Sequence, residues 1–324
     1  MATTIVFLSD APEDERFLAG VATQAACSLS RVASVGEIVA SIESGADAVY
    51  FMDVSSPDLF TQLENQVQER FGLYSDRIQA NRMYFISSQD LEKNSFLITS
   101  PLFGHFLLRN YGNLEESAKH FGRVVAATLR PRAFDLSAFF GPGVKTQRLV
   151  LKKTSQKQDA IEAVRNYIIA AQFKTRMAAT VANAVDELLM NSMFDAPVDA
   201  LGKPLYNTTA RDAVRELADQ GRVEMEVGFD GKYLGITAID YFGSLDKGRL
   251  LSHVSKIYTE EEYRVRSSYA GAGIGLATVF RSGGGLFFVS ERGERTEVTV
   301  FFRKFDSFRE FKEQFRFVST QFYF

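Results

Sequence analysis

The stretch Gly271-Ala272-Gly273-Ile274-Gly275-Leu276, running into the helix-like Ala277-Thr278-Val279-Phe280, decides how this chain is read. Three glycines at alternate positions remove the Cβ atoms that would hold backbone N–H groups away from a phosphate. A helix starting at the last glycine adds the free donors and the positive dipole of its N-terminus. Two other phosphate loops are excluded. No βαβ unit with a downstream ribose-binding acid surrounds the glycines, so they are not a dinucleotide fingerprint. No Gly-Lys-Ser/Thr follows, so they are not a P-loop.

Two further motifs lie upstream. In Asp186-Glu187-Leu188-Leu189-Met190-Asn191 the helical period sets Glu187 and Asn191 side by side and turns Leu188 and Leu189 toward a core. A carboxylate beside an amide suits a hydrated Mg²⁺, which takes few protein oxygens and keeps several waters. The alternative is a solvated polar stripe on an amphipathic helix. In Ala238-Ile239-Asp240-Tyr241-Phe242-Gly243 an apolar strand runs into an Asp and a turn glycine. A buried carboxylate there accepts a hydrogen bond from an adenine amino group; the alternative is an Asp that starts a turn.

The order and spacing of the three motifs resemble the GHKL (Bergerat-fold) ATPases, which include histidine kinases and anti-sigma-factor kinases. The resemblance covers about residues 145–303. It implies that Glu187 and Asn191 form the N box, with Asn191 on Mg²⁺. Asp240 and Gly243 fall in the G1 box, and Gly271, Gly273, Gly275 and Leu276 form the G2 box. Thr296 corresponds to the family's late threonine, and residues 244–270 to its ATP lid. The implied ligands are ATP or ADP with Mg²⁺. There are two departures. Phe242 stands at the first G1 glycine, which displaces Gly243 by one, and Asp195 follows Asn191 by one turn, where it repels phosphate unless Mg²⁺ or Arg offsets it. Both favour nucleotide binding over fast turnover. The histidines, His105, His120 and His253, supply no His-Glu/Asp phosphoacceptor hairpin before the ATPase segment. The arrangement is closest to compact anti-sigma-factor kinases, which phosphorylate a Ser on a separate regulatory partner; Glu187 is then the general base. A non-catalytic adenine-nucleotide sensor is the alternative, and an atypical histidine kinase the third reading.

The 324 residues point to two domains. With 46% hydrophobic and 24% charged residues the composition is that of an ordinary globular protein, and a net charge of −3 offers no footprint for nucleic acid. No apolar run approaches the ~20 residues that span a bilayer, MATTIVFLSD is no signal peptide, and the single Cys27 fits a reducing cytoplasm.

The first half alternates strands (Thr4–Leu8, 30–33, 48–52, 83–86, 96–99) with helices, which predicts a parallel sheet covered on both faces. The fold class is therefore α/β. A flavodoxin-like, doubly wound domain over 1–130 is followed by a linker, 131–145, rich in Pro and Gly. An α/β sandwich of GHKL type occupies 146–324. Its tail from Asp306 reads as a helix carrying Phe308, Phe311 and Phe315 on one face, packed within the chain or presented to a homodimer or partner. Residues 1–130 also resemble a response-regulator receiver. Asp53 stands where a receiver keeps its phosphoacceptor, Asp10 at one position of the acidic pair with Ser9 at the other, and Ser87 or Ser88 at the switch position. The strand expected at 96–99 leaves Ser100 where a receiver has Lys. The domain therefore reads as a pseudo-receiver that serves as a docking or dimerisation module.

Overall fold

The computed structural model describes residues 3–72, 78–132, 134–206, 215–217, 221–248, 250, 251, 279 and 282–323. The fold is α/β, in two compact units: Met1–Ala133 with Phe315–Thr320, and Phe134–Gln314 with Gln321–Phe324.

The first unit winds β1 (Thr4–Leu8), α1 (Pro12–Ala25), β2 (Ser28–Arg31), α2 (Val35–Glu43), β3 (Ala48–Asp53), α3 (Pro57–Phe71), β4 (Met83–Ser87), α4 (Ser95–Ile98), β5 (His105–Leu108) and α5 (Leu114–Thr128). Its strands lie in the order β2-β1-β3-β4-β5, all parallel, which is the flavodoxin-like order. Ala48 to Met52 are buried without interruption, as befits a strand covered on both faces. Helix starts follow the local chemistry. Ser34 and Asn113 accept the Glu37 and Glu116 N–H groups, and Pro12 and Pro57 open α1 and α3.

Two expectations fail here. The run at 96–99 is not a strand; Ser95–Ile98 is a short helix and the fifth strand is His105–Leu108. Three consecutive apolar residues, Phe96, Leu97 and Ile98, fit a buried helical turn as well as a strand. The tail is not a continuous helix either. Only Phe308–Lys312 (α8) is helical, and Phe317–Tyr323 forms β11. β11 pairs antiparallel with β5, Phe317 opposite Leu107 and Ser319 opposite His105, so residues 317–320 close the edge of the first unit. Phe315 stacks edge-on against Phe17 and Phe121, and Phe317 against Phe121 at 5.0 Å. Phe311, by contrast, is buried in the second unit against Phe302 at 5.5 Å. The phenylalanine stripe is thus spent inside the chain, in two different cores.

The second unit contains β6 (Thr146–Leu151), α6 (Lys157–Ala170), α7 (Thr175–Met190), β7 (Val223–Phe229), β8 (Tyr233–Asp240), β9 (Gly285–Glu291), β10 (Arg295–Arg303) and α8. The order β9-β10-β8-β7-β6 is antiparallel throughout. α6 and α7 pack together, and α7 lies against β8. The other sheet face receives Leu136, Phe139 and Phe140 from the segment read as a linker, all three buried. Gly228 and Gly235, paired across β7 and β8, make room for them: a Cβ on Gly235 would stand 2.8 Å from Leu136 Cδ1 and 2.9 Å from Phe140 Cζ. Among the described residues no helix is long and apolar enough to cross a membrane.

If the C-terminal segment belongs to the first core, Phe317→Ala should cost about 3–5 kcal/mol, the range for a buried Phe truncation. Native-state hydrogen exchange should show the loss at the β4 and β5 amides. Protection there unchanged from wild type would refute this assignment of β11.

Candidate functional site

β8 and β10 pair with Thr296 opposite Asp240 and Val298 opposite Ala238, and β10 sets Ser290 of β9 opposite Thr296. Directly opposed residues share a sheet face. Asp240, Thr296 and Ser290 therefore form a polar row across three strand ends, on the same face as Val298, Ala238 and Met225. All three are buried, and the Ser290 and Thr296 hydroxyls lie 3.2 Å apart. Asp240 Oδ1 accepts the Phe242 N–H at 3.0 Å. Desolvation nevertheless dominates and pushes the carboxyl up to about 7, against the pull of the Phe242 and Gly243 N–H groups.

α7 brings up the other predicted residues. Glu187 and Asn191 are half-buried, one turn apart. At Asn191 the helix changes character, and residues Asn191–Asp195 form a π turn that packs on β8. Such turns recur at functional sites because they re-aim side chains. Lys157 Nζ bonds Asp186 at 2.6 Å and sits 3.2 Å from Met190 Sδ, holding α6 to the polar side of α7. Ser244 Oγ donates to the Ala196 carbonyl at 2.7 Å, which ties the turn after Asp240 to the end of the π turn. The structure thus brings Asn191, Asp240 and Thr296 onto elements that touch. Gly243 has a local reason of its own. Its φ is +53°, and a Cβ would stand 2.0 Å from the Glu291 carbonyl oxygen, so the close approach of the β9–β10 turn requires glycine. Gly271, Gly273, Gly275 and Leu276, most of the expected lid and His253 lie outside the described residues. Ser290 was not singled out from sequence; a lone serine ending an apolar run carries no signal until the register is known.

On the opposite face Glu224, Glu226 and Glu297 are buried. Arg148, Arg222 and Tyr241 bond Glu224, Thr146 bonds Glu226, and Arg295 pairs with Glu297. Burial raises the Glu224 carboxyl, but the Tyr241, Arg222 and Arg148 hydrogen bonds win and hold it below its ordinary value.

In the first unit a second polar cluster lies at the carboxyl ends of β1, β3 and β5. Moving the fifth strand to His105–Leu108 changes the residue that follows it: Arg109, not Ser100, comes next. Ser100 instead donates to Glu64 at 2.7 Å. Arg109 grips Asp14 with Nε (2.8 Å) and Nη2 (2.7 Å), and Nη2 also meets Asp53 Oδ2 at 2.6 Å. Asp14 is fully buried in the first turn of α1 and takes further hydrogen bonds from Ser9 and Tyr111, both 2.6 Å. Asp10 is fully exposed and pairs with Arg31. Ser87 is buried against Asn94, while the Ser88 N–H donates to Ser55 Oγ, which also takes Arg109 Nη1. Burial would lower the Arg109 guanidinium, yet its bonds to Asp14 and Asp53 push it up, and it stays charged. Neither Asp14 nor Arg109 was anticipated. The available signal was an apolar run ending in a cation, HFLLR.

No family model matches the chain, and no curated protein matches it. Among solved structures, the chain is similar to the SiaB-SiaC complex from Pseudomonas aeruginosa. It aligns with 47% of this chain and 88% of that one, at 17% identity and a TM-score of 0.29, too low to carry an argument.

Asp240 carries a pH signature. Its carboxyl is raised in the folded protein, so the native state binds the proton more tightly than the unfolded chain does. Stability therefore falls as pH rises from about 4 to about 7, by roughly 4 kcal/mol if the shift is complete. Asp240→Asn keeps an acceptor for the Phe242 N–H and loses the charge. Urea unfolding should show the variant more stable than wild type at pH 8 and nearly equal at pH 4. Equal midpoints at pH 8 would show that Asp240 is not desolvated.

Proposed function

We propose that the second unit is an adenine-nucleotide site of GHKL type in a signalling protein that works with a regulatory protein partner. The observation that carries this reading is the buried, desolvated Asp240 facing Thr296 on the helix-covered side of the sheet. A carboxylate kept in an apolar setting, with no cation among its hydrogen-bond partners in the described residues, is costly to stability, and perturbed groups of this kind cluster at functional sites. Asp240 Oδ1 accepts the Phe242 N–H, and in this reading the carboxyl would also accept an adenine amino proton. The Thr296 and Ser290 hydroxyls line the same end. Asn191 would hold Mg²⁺ together with phosphate oxygens and water, since Mg²⁺ is rarely caged by protein alone. ATP would supply the transferable phosphoryl group. Glu187, one turn before Asn191, would take the proton from a partner's serine hydroxyl. Gly271, Gly273, Gly275 and Leu276 enter this reading from their sequence alone, as the phosphate cradle.

Two observations favour a second reading, a non-catalytic nucleotide sensor. Gly243 is committed to packing on the Glu291 carbonyl rather than to lining a pocket. Asp195 ends the π turn that begins at Asn191, adding negative charge near where phosphates would lie. Transfer through histidine is less favoured, because His105 and His120 are buried in the first unit.

Calorimetric titration of ATP, with and without Mg²⁺, tests the site. Wild type should bind. Asp240→Asn should bind at least about tenfold more weakly, because its amide turns a donor toward the adenine amino group and removes a charged acceptor worth ~1.5–3 kcal/mol. Glu187→Gln should keep binding and lose phosphorylation of the partner; retained phosphorylation would remove Glu187 as the base. Folded wild type that takes up no nucleotide would end the reading altogether.

A further inference from the structure

The receiver resemblance implies Mg²⁺ and phosphoryl chemistry at Asp53, and the residues present do not fit that ion. Mg²⁺ demands oxygen ligands at about 2.0–2.1 Å in near-octahedral geometry. Asp14 has none to offer. Its Oδ1 takes Arg109 Nε and Tyr111 OH, and its Oδ2 takes Arg109 Nη2 and Ser9 Oγ. Four donors saturate the roughly four lone-pair sites of a carboxylate. Asp53 Oδ1 accepts the Ser55 N–H at 2.9 Å, and its Oδ2 faces Arg109 Nη2. The remaining acid, Asp10, points to solvent and pairs with Arg31. One guanidinium nitrogen thus stands within 2.7 Å of oxygens from both Asp14 and Asp53, in the place where a bridging metal would need to be. A phosphoryl group on Asp53 would also displace the contact that keeps Arg109 and Asp53 together.

We propose that Arg109 is a built-in cation that replaces Mg²⁺ in the first unit, so that Asp53 is neither a metal ligand nor a phosphoacceptor and the unit holds one state. The guanidinium links the starts of α1 and of the β3–α3 connection through Asp14, Asp53 and Ser55, and Ser55 in turn holds the Ser88 N–H at the end of β4. Here the permanent cation fixes them, and the surface they form is constant. The proposal is independent of the nucleotide reading of the second unit.

The test uses the full chain without nucleotide. Intact mass is measured after Mg²⁺ and acetyl phosphate, and Mn²⁺ binding by the loss of its free electron-paramagnetic signal, for wild type, Asp53→Asn and Arg109→Ala. Wild type and Asp53→Asn should give the same Mn²⁺ titration, and neither should gain a phosphoryl mass. Arg109→Ala should bind Mn²⁺ at least about tenfold more tightly than wild type, with the gain lost when Asp53→Asn is added. A phosphoryl adduct or saturable Mn²⁺ site in wild type that Asp53→Asn abolishes would overturn the proposal, as would a folded Arg109→Ala with no gain. If Arg109→Ala does not fold, the comparison of wild type with Asp53→Asn decides alone.

Discussion

A slip of one residue between β8 and β10 would carry Asp240 and Thr296 to opposite faces of the sheet, because side chains alternate with a period of two. Everything proposed for the second unit depends on that register. The pairing from Thr296 with Asp240 to Arg303 with Tyr233 fixes it along eight residues. The hydrophobic pattern enforces it: Val298 and Val300 share the helix-facing side with Ala238 and Ile236, while Thr237 and Thr299 hydrogen-bond each other at 2.7 Å on the other. With β8 held in place, a slipped β10 would turn Thr299 toward α7, away from Thr237, and turn Val298 and Val300 away.

The same alternation explains how one sheet carries two unlike polar regions. Asp240 and Thr296 sit buried on the α7 side, and desolvation there raises the Asp240 carboxyl. Their chain neighbours Tyr241 and Glu297 fall on the reverse side, where glutamates and arginines satisfy each other. The reverse-side carboxylate Glu224 is held low by its donors, whereas Asp240 is raised by desolvation. Ion pairs account for the first group as structure. They do not account for Asp240, which is why it is read as a binding residue.

The sequence is most informative where a pattern is long. Thr4–Leu8 coincides with the strand observed, and the buried run expected at 48–52 lies within β3, Ala48–Asp53. It is misleading where a run is short. Residues 96–99 and 105–108 are both short, mostly apolar runs near turn residues, and only the neighbouring strands decide which one pairs. That choice placed Ser100 instead of Arg109 beside Asp53. Asp240 and Thr296 were legible as motif members, but Ser290 and Asp14 were not: each matters only through a partner 6 or 95 positions away along the chain. The tail misled for a related reason. Phe308, Phe311 and Phe315 have helical spacing, yet Phe315 leaves the helix to pack with Phe17 and Phe121.

The late arrival of β11 has a consequence for biosynthesis. Residues 1–133 leave the ribosome first, but their sheet is completed by residues 315–320. At about 5–20 residues per second, the interval is roughly 10–35 s. Throughout it the outer edge of β5 presents unpaired N–H and C=O groups, and Phe121 lacks Phe315 and Phe317. An open strand edge beside exposed aromatic surface is a template for pairing with other chains. The nascent first unit is therefore a natural client for chaperones that shield strand edges. Ribosome-bound chains stalled before residue 315 should be far more prone to associate than the finished protein.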